Sequence, residues 1–224
     1  MRQVEWLTSS DPVRMLAGHR KLTKLSVRKA RLFCVACCRY VAHHMWAEAS
    51  RLAMEVAERY ADGEATAEEA ETAYEDVFRA SASVFGRYRS SWDYDVLDEP
   101  DRAMVLANTC AMDSCDSYPD ADSASRSAAE IAQIDRTIHP QPELLRCIFG
   151  NPFRPVGFDP AWRTSTAVGL ADAIYADRAF DRLPILADAL QDAGCEDAAI
   201  LGHCRGDGPH VRGCWVVDLV LGKE

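Results

Sequence analysis

The 224-residue chain has no long uninterrupted apolar run. Its most hydrophobic stretch, "ARLFCVACCRYVAHHMW" at 30–46, is broken by two arginines and two histidines. That is too short and too charged for a membrane span. The opening "MRQVEWLTSSDP" lacks the basic-then-apolar order of a secretory signal, so a cytoplasmic location is expected. No segment alternates apolar and polar residues for long enough to make a sheet. Acidic residues are missing from Pro12 through Ala47. Also missing are a Gly-x-Ser-x-Gly elbow, a phosphate loop, a dinucleotide fingerprint and an HExxH pair, so a non-catalytic role is expected.

What is there is an ordinary globular composition, 48% hydrophobic and 27% charged, with enough apolar residues for a real core. The net charge of −10 is unevenly spread. Residues 1–60 hold 11 Lys/Arg against 5 Asp/Glu, with the basic run at 12–47. Residues 61–122 hold 4 against 16. A basic face of this kind suits nucleic acid, through Arg20, Lys21, Lys24, Arg28, Lys29 and Arg31. The overall negative field repels phosphate, and the plainer expectation is that the basic part packs on the acidic part of the same chain.

Nine cysteines are present, an odd number, and a chain of this size needs no disulfides to fold. Reduced thiols acting as small hydrophobes are expected.

The pattern is helical nearly throughout. Asp11 before Pro12, Ser26, Thr66 with Glu69, Thr164, Asp181, and Glu196 or Asp197 are start signals, and Gly63, Gly150, Gly194 and Gly222 are stops. A long buried helix is expected over about 27–46. The stretch 86–100 reads as a loop. The expected architecture is all-α, about ten helices in two packed halves forming one unit. An N-terminal half (1–138) and a C-terminal half (164–224) are joined by a Pro-rich crossing at 139–163. The last helix is expected to begin at Pro209.

Several stretches carry a resemblance: "RLFCVACCRY", "AMEVAERYADG", "IFGNPFRPVGFDPAWRT", "LPILADALQDAGC" and "ILGHCRGDGPHVRGCWVVDLVLGKE". Together they resemble a helical protein family expanded in planctomycete-type bacteria, often as many paralogues per genome. The resemblance covers most of the chain and is weakest at about 79–125. It implies that the two halves form one unit, and it brings no activity, ligand or catalytic residue.

Two candidate sites remain. The C-terminal cysteines and histidines lack a CxxC knuckle, yet His210 and Cys214 fall four apart on the expected last helix and so on one face. A Gly-Asp-Gly-Pro turn brings Cys204 or His203 toward them, and Cys195 completes a zinc site of Cys195, Cys204, His210 and Cys214. The rival reading is that these cysteines only pack. A Cys–His nucleophile is disfavoured, because the adjacent His203 and Cys204 point about 100° apart on a helix. The mid-helix Cys34–Cys37 pair lacks a companion pair and reads as core filler. The second candidate is an interaction surface of Arg154, Trp162 and Arg163, with a strap over the core as its rival. The expected function is a protein–protein interaction or regulatory module with an unknown protein partner. Zinc binding is the first alternative and nucleic-acid binding the second.

Overall fold

The computed structural model describes residues 1–88, 96–136 and 139–223. Most of the expected 86–100 loop, residues 89–95, lies outside them. Among the described residues the chain is all-α, with twelve α-helices. Eight come first: α1 (Gln3–Thr8), α2 (Pro12–Arg20), α3 (Val27–Tyr40), α4 (Glu48–Ala61), α5 (Ala67–Arg87), α6 (Glu99–Cys115), α7 (Ala121–Asp135) and α8 (Gln141–Phe149). After the Pro-rich crossing come α9 (Ser165–Asp177), α10 (Leu183–Asp192), α11 (Ala198–Cys204) and α12 (Trp215–Leu221).

The starts are set by side-chain caps, which satisfy otherwise orphaned backbone N–H groups. Asp11 accepts from the Arg14 N–H, Ser26 from Lys29, Thr164 from Ala167 and Asp197 from Ile200. Thr66 and Glu69 form the reciprocal capping box. Asp181 differs from its expected role. It sits in a short 3-10 turn, and α10 starts two residues later with no side-chain cap. The long helix is also shorter than its pattern, ending at Tyr40 and passing into a 3-10 turn at Ala42–His44.

Two large apolar cores, and a smaller one around Val84, Phe85, Met104 and Val105, organise these helices. The first gathers Phe33, Cys34, Cys37 and Cys38 of α3 with residues of α2, α4, α6, α7 and α8. The second gathers α9 to α12 around Ile174, Leu186, Leu190 and Val217. Helix α8 serves both: Leu144, Leu145 and Ile148 enter the first core while Cys147 enters the second. All nine cysteines are free and buried, the state expected for thiols used as core filler.

Charges tie the two sets of helices together. Arg28 of α3 bonds Asp62 beyond α4 and both carboxylate oxygens of Asp218 on α12, at 2.8 and 3.1 Å. Tyr175 of α9 joins through its hydroxyl, which donates to Asp62. Burial opposes the Arg28 charge, but the two carboxylates outweigh it and hold the guanidinium firmly protonated. Arg20 pairs with Asp122 and Arg31 donates to the Ser114 carbonyl. Two residues of the basic stretch, Arg20 and Arg28, thus pair with carboxylates of the acidic one.

The chain enters α12 differently from expectation. Pro209 does not start a helix; α12 begins at Trp215, with Cys214 as its N-cap. Gly213 adopts a φ of 86°, outside the helical region, and this breaks any helix running from Pro209. A Cβ there would sit 2.9 Å from Leu32 Cδ1, so the turn also needs glycine's missing side chain to lie against α3.

Candidate metal centre

Four sulfur and nitrogen atoms converge where α8, the end of α11 and the turn before α12 meet. Cys147 comes from α8, His203 from α11, and His210 and Cys214 from the turn. One ligand atom from each lies within 4.8 Å of all the others. His203 Nε2 is 3.2 Å from Cys214 Sγ, and Cys147 Sγ is 3.8 Å from His210 Nδ1. Zn–S bonds of about 2.3 Å and Zn–N bonds of about 2.0 Å place tetrahedral neighbours roughly 3.3–3.8 Å apart. These two separations match the edges of such a tetrahedron, and all the others lie within 4.8 Å.

Each ligand is held by its element. Cys147 and Cys214 are buried and belong to the second core. His203 lies against His210, rings edge-on at 4.8 Å, and against Trp215 at 5.2 Å. The far nitrogen of His210, Nε2, is 3.3 Å from the Gly206 carbonyl. When Nε2 carries the proton and donates there, Nδ1 is available as a ligand, the tautomer that a metal-binding histidine needs.

The electrostatics favour one thiolate. Burial alone pushes the Cys214 thiol up, but Cys147, His203 and His210 all turn toward its sulfur and hold it well below the usual thiol range. Cys147 moves the opposite way, because the Cys214 sulfur beside it and its own burial both favour its neutral form. Burial lowers His210, while its bond to Cys214 outweighs this and raises it. The cluster thus shares its protons, and a divalent cation would displace them.

Two residues expected at the site stand apart from it. Cys195 is buried in the turn between α10 and α11, with its N–H on the Leu190 carbonyl. Cys204 is buried at the end of α11, where burial pushes its thiol up. His203 and Cys204 are neighbours on one helix, and it is the histidine that turns inward to the cluster. Cys147 had no signal in the spacing, since it lies 63 residues before His210. His210 and Cys214 do meet, through a turn rather than one helix face.

The residues of the expected interaction surface separate into two roles. Trp162 packs against the second core and meets Phe158 edge-on at 5.4 Å. Arg163 donates to the Leu219 carbonyl at the end of α12, at 2.8 and 3.3 Å. These two act as the strap. Arg154 is exposed and lines a cavity of about 600 Å³ that also includes Leu7, Val156 and Trp215.

A second group, His43, His44 and Asp135, lies at the surface between the 3-10 turn and the end of α7. Both Nε2 atoms stand 2.9–3.0 Å from the carboxylate. Burial raises the Asp135 carboxyl, while His44 and His43 outweigh it and keep it ionised. It offers three ligands to the buried cluster's four.

Among the described residues no helix is long and apolar enough to cross a membrane. No protein-family model matches the chain, and neither a curated protein nor a solved structure matches it.

Proposed function

We propose that the chain is a zinc-binding helical protein in which Cys147, His203, His210 and Cys214 hold one structural ion. The observation that carries this reading is the convergence of four ligand atoms from three separate segments within 4.8 Å. Two thiolates and two imidazoles balance a divalent charge and fill a tetrahedron, leaving no open position for substrate. The ion's role is to staple the turn before α12 onto α8. The seven cysteines left outside the site are buried free thiols, which suits a reducing, cytoplasmic setting.

The metal content of natively purified protein tests the proposal. About one zinc per chain is expected, together with a fall in melting temperature on adding chelator. Metal-free protein whose melting ignores chelator would overturn it.

A stapled module of this kind fits a regulatory or interaction role. The cavity beside Trp215, lined by Leu7, Val156 and Arg154, supports that role because arginine and tryptophan are frequent interface anchors. Replacing Arg154 with Glu is expected to abolish capture of a partner while leaving melting unchanged. Partner recovery equal to that of the unmodified chain would refute it.

A further inference from the structure

Three arginines from three segments converge on one buried carboxylate. Glu58 of α4 has a side chain only 3% exposed. Arg39 of α3 approaches its Oε1 with Nε at 3.0 Å and Nη2 at 2.9 Å. Arg178, just beyond α9, bonds its Oε2, and Arg212 of the turn before α12 places Nη1 3.6 Å from the same oxygen. Arg212 is further fixed by donating Nε to the Tyr175 carbonyl and by lying 4.9 Å over the Tyr175 ring. Arg178 holds a φ of 52°, a backbone conformation usually left to glycine, while its side chain reaches Glu58.

All four side chains line a cavity of about 210 Å³ with an apolar floor of Leu32, Ala36 and Phe180. Three cations face one carboxylate, a local surplus of two positive charges. The neighbouring cluster does not absorb it, because Arg28 and Lys223 are already matched there by Asp62 and Asp218. The three guanidinium groups carry more N–H donors than Glu58 and the Tyr175 carbonyl can accept. In a chain of net charge −10, a surplus of this sign concentrated around a hollow is informative.

We propose that this cavity binds a small dianionic phosphoryl group, with Arg39, Arg178 and Arg212 as its donors. A dianion cancels the surplus, and guanidinium groups suit the planar, paired hydrogen bonds that phosphate oxygens accept. Glu58 positions the three donors and keeps them from splaying into solvent. The zinc reading is not required, since the cavity shares only the wall residue His210 with that cluster.

The test titrates inorganic phosphate into the full chain as purified, with chloride balancing ionic strength. The arginine Nε–H resonances and the phosphate signal are followed by NMR. Saturable binding at about 1 mM or tighter is expected, with shifts at Arg39, Arg178 and Arg212. Arg39→Gln and Arg178→Gln are each expected to weaken it at least about ten-fold, the loss of one charge-assisted bond. Circular dichroism checks that these variants fold, and the resonances of the unmodified chain give an answer that needs no variant. No saturation by about 50 mM phosphate, or undiminished binding in the folded double variant, would overturn the proposal. A malonate arm separates sources of charge: tighter binding of malonate than of phosphate would overturn the phosphoryl assignment.

Discussion

Replacing Cys147 with Ala should strip the chain of zinc, whereas replacing Cys195 or Cys204 should not. Cys147 supplies one of four ligand atoms lying within 4.8 Å of each other, and the other two cysteines supply none. The magnitude follows from linkage. With free zinc at about a thousand times its dissociation constant, an ion that binds only the folded chain adds about 4 kcal/mol. For a chain of this length that corresponds to a melting shift of about 8–16 °C. Chelator should therefore lower the melting temperature of the unmodified protein by that amount and leave Cys147→Ala almost unmoved. Cys195→Ala and Cys204→Ala each lose one buried sulfur, costing about 1–2 kcal/mol of packing, and should keep both the metal and the chelator response. Calorimetry with and without chelator, paired with metal analysis, reads both quantities. Stoichiometric zinc in folded Cys147→Ala, or its loss in Cys204→Ala, would refute the assignment.

Further outcomes follow from the same physical arguments. Burial, helped by Asp120 and Asp116, pushes the Asp113 carboxyl up to about 7, and its Oδ2 is buried without a hydrogen-bond partner. Its folded value exceeds its unfolded value of 3.8, so stability is full below pH 4 and falls as pH rises toward 7. The loss reaches at most roughly 4 kcal/mol by pH 8, of which about 2–3 kcal/mol falls between pH 5 and pH 8; urea unfolding at those two pH values reads that difference, and Asp113→Asn should remove it. Arg28→Met strands the buried Asp62 and Asp218 and should cost about 3–5 kcal/mol in urea unfolding. Gly213→Ala meets Leu32 in a left-handed turn; it should cost about 1–3 kcal/mol and weaken zinc retention through the adjoining Cys214.

The local features of this fold were legible because they are written in neighbouring residues. Asp11, Ser26, Thr66 and Thr164 cap helices within three residues of themselves, and the near-continuous apolar circumference of α3 announced its burial. Where local signals competed, the pattern misled. Pro209 reads as a first helical residue, but the left-handed Gly213 overrides it, and α12 waits until Trp215. The four-residue spacing of His210 and Cys214 suits one helix face, yet they meet because a turn folds them together. Cys147 was out of reach of any spacing argument. Only the packing of α8 against the second core brings it to the cluster. The arginine cavity was hidden for the same reason, since Arg39, Arg178 and Arg212 have nothing in common in the sequence except their charge.

The placement of Cys147 on α8 sets an order of events during synthesis. The residue leaves the ribosome 63 positions ahead of His210. At ordinary elongation rates that is about 3–13 s during which the outer face of α8 has no partner. Through that interval a thiol destined for burial is open to oxidants and to stray metal ions. The buried residues of the first core, from Trp6 to Ile148, have all left the ribosome by then, so α8 has that core to pack on before the remainder of the chain arrives to cover it.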